Sequence, residues 1–411
     1  MTLKQADPEL YALIQKERKR QSEVLELIAS ENYVSGPVLN ALGSVLTNKY
    51  AEGYPRKRYY GGNEVVDEVE ELAIDRVRTA FDLPLDWHVN VQPYSGSPAN
   101  MEVFAALLEP KDTIMAMDLA HGGHLTHGSP VNFSGKQYNF VHYGVSQKNG
   151  RLDYIEILKL ADRVKPRLII SGFTAYPREI DFKKFKEIAD KVGAICMADI
   201  SHIAGLIAAG VHQSPIPFYD VVTTTTHKTL RGPRGAVIMC KDKFGTAIDK
   251  AVFPGMQGGP HENAIASIAV AMKEATTAAF KRYAEQIIKN SKALANALQD
   301  FGFKLVSEGT DNHLMLIDLT NKNITGKQAQ SLLEQAGIIV NKNMVPYDPR
   351  SPLDPSGIRI GTAAITSRGM KEKEMSKVAS WMAAVITDAK IAPEVKEEIK
   401  RFTKNFPAPG L

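Results

Sequence analysis

Short unbroken apolar runs alternate with stretches of helical spacing through the middle of this chain. Arg167 to Ile170 reads as a buried strand, and Ile195 to Ala198 as a second one that ends at Asp199. Between them, Asp181 to Val192 places Phe182, Phe185, Ile188 and Ala189 near helical spacing. Strand, helix, strand is the unit of a parallel sheet, so the pattern predicts an α/β fold. Such sheets take their ligands outside the carboxyl ends of the strands. A third strand-like stretch starts at Tyr219 and runs into the threonines Thr223 to Thr226, whose branched side chains favour extended backbone. His227 and Lys228 come next, and Arg231, Gly232, Pro233, Arg234 and Gly235 then break any regular element.

Outside this central region the pattern changes. Leu10, Leu13, Ile14, Val24, Leu25 and Leu27 form an apolar stripe that predicts a helical arm, residues 1–28, of the kind that packs on a partner subunit. A large domain over 29–279 is expected to follow, then a long helix from Phe280 to Leu298 opening a smaller α+β domain over 280–411. In that domain Leu314 to Leu319 and Gly337 to Val340 read as strands and Gly326 to Gln335 as a helix.

Composition narrows the class. At 411 residues, 44% hydrophobic and 23% charged, the chain can bury a large core and divide into domains. Its two cysteines, Cys196 and Cys240, sit in apolar runs and read as reduced core residues, which suits the cytoplasm. No stretch approaches a membrane span, and the N-terminus lacks the layout of a signal peptide. Fifty basic against 46 acidic residues is a small surplus, and it gives no reason to expect a nucleic acid. The run Arg56, Lys57, Arg58 would suit an anionic tail on a ligand.

The chemistry starts with Lys228. A lysine at the mouth of a loop, with Asp199 on the same sheet edge, suits pyridoxal phosphate: the amine holds the aldehyde as a Schiff base, and the carboxylate keeps the ring nitrogen protonated. A phosphate also needs donors. Ser95, Gly96 and Ser97 form a turn before the helix-like stretch Met101 to Leu108, where backbone N–H groups and two hydroxyls make an anion site. Neither of the common nucleotide-binding glycine motifs occurs here. No metal is expected.

Longer blocks then carry a resemblance. LIASENYVS (27–35), NKYAEGYPRKRYYGG (48–62), VQPYSGSPAN (91–100), DLAHGGHLTHGSPVNFSGK (118–136), VVTTTTHKTLRGPRG (221–235), FPGMQGGP (253–260), VNKNMVP (340–346) and SGIRIGT (356–362) appear in that order. With them the chain resembles the serine hydroxymethyltransferases, fold-type I pyridoxal phosphate enzymes, from about Leu27 to Thr366. The resemblance implies a large domain with a mostly parallel sheet flanked by helices and a smaller C-terminal α+β domain. It implies reversible transfer of the hydroxymethyl carbon of L-serine to tetrahydrofolate, giving glycine and 5,10-methylenetetrahydrofolate, by a homodimer, or a dimer of such dimers, with shared active sites.

By position, Lys228 resembles the Schiff-base lysine, Asp199 the pyridinium partner, His124 the imidazole stacked on the cofactor, and His202 the histidine near its phenolic oxygen. Ser95, Gly96, Ser97 and His227 resemble the phosphate cup, completed from a second subunit by Tyr50 and Gly258 or Gly259. Arg359 offers a charged planar fork for the substrate carboxylate, with Ser30 and Tyr60 as its helpers. Glu52, reaching in from the partner, is expected to move a proton at the serine hydroxyl, its pKa raised in a closed site. Leu119, Gly123, Leu125 and Asn343 match positions that receive the pterin. Thr174 replaces the family's usual serine near the phenolic oxygen, and Arg56 its usual glycine. The rival readings are a folate-independent pyridoxal phosphate aldolase for threonine-like 3-hydroxy amino acids and a catalytically silent regulatory or RNA-binding relative.

Overall fold

Unbroken apolar runs along the central strands bury both faces of one sheet, the pattern a parallel sheet covered by helices requires. The computed structural model describes residues 1–411. Its main sheet contains β1 (Trp87–Asn90), β2 (Thr113–Met117), β3 (Asn139–Tyr143), β4 (Leu168–Gly172), β5 (Ile195–Asp199), β6 (Val221–Thr225) and β7 (Ala236–Lys241). They lie in the order β1-β7-β6-β5-β4-β2-β3. From β6 to β3 every neighbour is parallel, whereas β7 runs antiparallel to both β6 and β1. On β4, Leu168 and Ile170 join one core and Ile169 the other; on β5, Met197 faces the first, Cys196 and Ala198 the second.

The helix between β4 and β5 spans Phe182–Val192, with Asp181 as its N-cap accepting from the Lys184 backbone N–H and Gly193 closing it at φ 71°. It buries Phe182, Phe185, Ile188 and Ala189, the face read from spacing. Asp199 ends β5, and β6 lies beside it in parallel register, Asp199 opposite Thr223. That adjacency carries Lys228, three positions beyond the end of β6, to the same edge.

A second sheet holds β8 (Lys304–Leu305), β9 (Leu314–Asp318), β10 (Asn341–Asn343) and β11 (Gly357–Gly361), antiparallel in the order β8-β9-β11-β10. The helix Ala278–Asp300 joins the two bodies: Phe280, Tyr283, Ala284 and Ile287 pack in the main core, and Leu294, Ala295, Ala297 and Leu298 in the smaller one.

Several expectations need correction. The N-terminal helix ends at Glu23 and does not reach Ile28. Leu25–Glu26 instead pairs in parallel with Ile338–Ile339, and Leu25 and Leu27 fill the smaller core. One apolar stripe in the sequence thus serves two purposes, because Leu10, Leu13 and Ile14 remain 46, 62 and 45% exposed. The helix after Ser95 begins at Gly96, not Met101, so Ser97 belongs to its first turn. Gly96 is needed there: a Cβ would stand 2.5 Å from Thr225 Cγ2, where the helix start presses on the end of β6.

The basic run also reads differently in three dimensions. Arg58 is buried and spends its guanidinium on Asp67 at 2.9 Å and Glu70 at 2.6 Å, while Arg56 pairs with Glu71. Breaking such a buried pair costs about 3–5 kcal/mol. Arg58 is therefore a structural cation that fixes the segment following Glu52, and only Lys57 of the three is left without a carboxylate partner.

Candidate active site

A cavity of about 340 Å³ opens over the carboxyl ends of β5 and β6. Ser30, Ser95, Gly96, Ser97, His124, Thr174, Asp199, His202, His227, Lys228 and Arg359 all line it. The strand ends and the helix start at Gly96 come from the main body, whereas Arg359 arrives from the middle of β11.

Lys228 is 8% exposed. Burial, with further repulsion from Arg359 and Arg234, pushes its amine down to about 8 against the pull of Asp199. More of the amine is thus uncharged near neutral pH than in a free lysine, and only the uncharged amine is a nucleophile. Asp199 shows the opposite balance. Burial alone would raise it, but the hydrogen bond that His127 donates and the charge of Lys228 hold it well below the usual carboxylate range. Its Oδ1 accepts from the Ser201 hydroxyl at 2.6 Å and the Ser201 N–H at 3.1 Å; its Oδ2 accepts from Asn100 Nδ2 at 2.9 Å and His127 Nε2 at 3.4 Å. Asp199 can therefore stabilise a positive N–H across the whole working pH range.

His124, His127 and Asp199 could be read as a metal set, since one ligand atom from each falls within 4.8 Å of the others. The hydrogen bonds give another reading. His127 Nδ1 accepts from the His124 backbone N–H at 3.2 Å, and His124 Nδ1 accepts from the Thr126 N–H at 3.2 Å. Each neutral ring therefore carries its proton on Nε2, which makes His127 Nε2 a donor to Asp199 and not a metal ligand. Burial, chiefly, pushes His124 down to about 4, so its imidazole is uncharged and suited to lie against a flat aromatic ligand.

Arg359 is 6% exposed and has no carboxylate partner. Its Nε donates to Asn341 Oδ1 at 3.0 Å, Nη1 to the Thr174 carbonyl at 2.8 Å, and Nη2 to the Ser30 hydroxyl at 3.4 Å. Burial pulls it down to about 10. A buried guanidinium held by neutral acceptors beside a cavity is poised for an anionic ligand.

Of the buried side-chain atoms that lack a hydrogen-bond partner in this chain, four gather here: Thr174 Oγ1, His202 Nε2, Thr225 Oγ1 and His227 Nδ1. All belong to residues lining this cavity. Buried polar atoms are seldom orphaned, so they point to a polar ligand. Ser95, the N-cap, makes no capping bond with its side chain, which leaves its hydroxyl and the helix N–H groups free for an anion. His227, pushed down to about 3 by burial and then by Lys228 and Arg234, stands there neutral. These donors, the amine, the carboxylate and the fork fit the phosphate, aldehyde and ring nitrogen of pyridoxal phosphate and the carboxylate of an amino acid.

The model of the serine hydroxymethyltransferase family matches residues 3–382. The chain belongs to that family. It is 58% identical over 412 residues to the serine hydroxymethyltransferase of Desulfotalea psychrophila, the match covering 100% of this chain and 96% of that protein. Family membership carries the fold-type I architecture and the dependence on pyridoxal phosphate, and neither match supports the aldolase or silent readings.

Some expected residues stand apart from the cavity within one chain. Tyr50, Glu52, Tyr60, Gly258 and Gly259 cluster elsewhere: Tyr50 and Tyr60 meet edge to face at 5.3 Å, and Cβ atoms on Gly258 and Gly259 would lie 3.4 Å from Glu52 Oε1 and from the Tyr50 ring. Tyr60 therefore does not flank Arg359 in its own chain; Asn341 and the Thr174 carbonyl do. Leu119, Gly123, Leu125 and Asn343 are also off the cavity wall. Leu119 and Leu125 are 42 and 46% exposed, Gly123 is packed on the Met117 carbonyl, and the Asn343 amide donates to the Met344 carbonyl.

Sequence reasoning missed Asn100, His127 and Ser201, which hold Asp199, and Arg234, which lines the anion end of the cavity. The block DLAHGGHLTHGS did contain His127, but only the fold shows that it turns towards β5.

Proposed function

We infer that this chain transfers the hydroxymethyl carbon of L-serine to tetrahydrofolate, leaving glycine and 5,10-methylenetetrahydrofolate. The observation that carries the reading is one cavity holding a buried amine, a permanently ionised carboxylate and a buried guanidinium without an acid partner. Pyridoxal phosphate, when bound, supplies an aldehyde that links covalently to amines and a ring that withdraws electrons. Ser95, the N–H groups of the helix starting at Gly96, Ser97, His227 and Arg234 would hold its phosphate. Asp199 would keep its ring nitrogen protonated, and His124 would cover one face.

Arg359 binds the amino-acid carboxylate, with Asn341, Thr174 and Ser30 fixing the orientation of its fork. Lys228 takes up a proton at Nζ in its uncharged form and gives it back from its charged form. Glu52 moves the proton of the serine hydroxyl, and it does so from a second copy of the chain. Two facts support that last step: Tyr50, Glu52, Tyr60, Gly258 and Gly259 form one cluster off the cavity wall, and Tyr50 and Tyr60 are 57 and 49% exposed. The exposed Leu10, Leu13 and Ile14 of the arm favour the same assembly. Leu119, Gly123, Leu125 and Asn343 receive the pterin, the two leucines through apolar surface that is 42 and 46% exposed. No helix is long and apolar enough to cross a membrane, and Cys196 and Cys240 are free and buried, which favours a cytoplasmic setting.

An absorbance titration tests the function. The visible band of the loaded enzyme is expected to move to longer wavelength when glycine and tetrahydrofolate are both present; a band indifferent to folate would end the transferase reading. The shared site has its own test. Glu52→Gln is expected to lower folate-dependent turnover by about 10²-fold while leaving glycine binding intact. Mixing Glu52→Gln chains with Lys228→Ala chains should restore roughly a quarter of wild-type activity, since random pairing makes half the dimers mixed and each of these has one intact site. No recovery on mixing would place Glu52 in its own chain's site.

A further inference from the structure

One loop of the main body reaches both the cavity and the smaller body. It runs from Phe173 to Glu179, directly after β4, and its first two residues, Phe173 and Thr174, line the cavity. The Thr174 carbonyl is the acceptor that Arg359 Nη1 meets at 2.8 Å. Four residues on, Arg178 crosses to the segment between β8 and β9. Its Nη1 donates to Asp311 Oδ1 at 2.8 Å, and its Nε to the Ser307 carbonyl and hydroxyl, each at 3.1 Å. Nη2 donates to the same carbonyl. No other ion pair joins the main body to the smaller one.

Backbone groups reinforce this contact. The Tyr176 carbonyl accepts from Asn312 Nδ2 at 3.2 Å, the Pro177 carbonyl from the Asp311 N–H at 2.8 Å, and Asp311 Oδ2 from the Glu179 N–H at 3.2 Å. The segment that Arg178 enters bends sharply. Ser307 and Glu308 hold φ at 58 and 61° and Gly309 at 132°, and a Cβ on Gly309 would stand 3.2 Å from Arg178 Nη2. Two successive residues with a Cβ are costly in the left-handed region and stay there only where their surroundings hold them. The guanidinium of Arg178, on a side chain 12% exposed, supplies that hold.

The bend leads into β9, where Leu316 lies opposite Arg359 of β11. Arg359 is thus supported from two sides, by β9 and by the Thr174 carbonyl, and Arg178 ties the two supports together. Asp199, Lys228 and Arg234 all belong to the main body, so the place of Arg359 among them depends on how the two bodies meet.

We propose that Arg178 is a positioning residue for amino-acid binding: it clamps the loop carrying Thr174 to the segment leading into β9, and so sets the Arg359 fork relative to Lys228 and Asp199. The proposal rests on the reading of Arg359 as the fork for the substrate carboxylate.

Titration of the cofactor-loaded enzyme with glycine, followed by absorbance and without folate, tests it in a double-mutant cycle. Arg178→Ala is expected to weaken glycine binding by about 10-fold while cofactor affinity and the visible band hold, because the cofactor's donors lie in the main body. In an Arg359→Ala background the same change should cost under about 2-fold, since no fork remains to be placed. Arg178→Lys should recover only part of the affinity: an ammonium pairs with Asp311 but cannot also grip the Ser307 carbonyl as a planar fork does. Unchanged glycine affinity in Arg178→Ala, or an equal loss with and without Arg359, would overturn the proposal. Where the alanine variant does not fold, Asp311→Asn keeps the shape and removes the charge; it should show the same split at smaller amplitude, and the lack of that split would overturn the proposal equally. If Arg359→Ala itself left glycine binding intact, the fork reading would fail and the positioning role with it. A loss in Arg359→Ala without one in Arg178→Ala would sink the positioning role alone.

Discussion

Lys228→Ala is expected to abolish folate-dependent turnover, by about 10³-fold or more, and to remove the visible band of the bound cofactor, without weakening the cofactor-free fold. The second half of that expectation follows from burial. The amine titrates near 10.5 when free and about 8 in the fold. Below pH 8 both folded and unfolded chains carry the proton, and the buried charge costs stability in full. Between about 8 and 10.5 only the unfolded chain is protonated, so stability rises with pH until the cost has gone. Alanine removes that cost at every pH. The melting temperature of Lys228→Ala should therefore equal or exceed that of the wild type at pH 7, and the difference should shrink towards pH 10. A lysine kept at a stability cost is a lysine kept for chemistry. A variant that melted far below wild type at pH 7 would make Lys228 structural, and an undiminished visible band would move the covalent role elsewhere.

The parts of this site that were legible in the sequence are those set by local pattern. Asp199 and Lys228 follow successive strands, and a parallel sheet brings the ends of such strands together, so their shared edge could be read before any coordinates. The helix face of Phe182, Phe185, Ile188 and Ala189 was legible for the same reason. Other features depend on contacts between distant segments. Arg58 looks like a surface charge until Asp67 and Glu70 close on it from the next helix. Leu25 and Leu27 continue the stripe of the arm by spacing, yet they sit in the smaller core because Ile338–Ile339 offers an edge to pair with. Arg178 and Asp311 are 133 positions apart, and no periodicity links them. Ser97 was misplaced by a simpler cause: the polar first turn of the helix Gly96–Leu107 carries no apolar signal, so the pattern begins only at Met101.

Arg359→Ala is expected to raise the KM for serine by about 10²-fold, the consequence of losing roughly 3 kcal/mol when one partner of a desolvated charge pair is truncated. The expectation rests on what the guanidinium lacks. Its acceptors are an amide oxygen, a backbone carbonyl and a hydroxyl, all neutral, so the charge is uncompensated until a carboxylate enters. Glycine has the same carboxylate, and its binding should weaken in parallel, whereas the KM for tetrahydrofolate should hold. Because the fork grips a group that does not react, kcat should fall less than kcat/KM. Arg359→Lys should recover only part of the loss: an ammonium keeps the charge but cannot satisfy Asn341, Thr174 and Ser30 and still offer two parallel N–H groups. Steady-state kinetics with both amino acids separates these outcomes. An unchanged serine KM in Arg359→Ala would leave a buried cation, held at the cavity wall by three neutral groups, with no anion to meet.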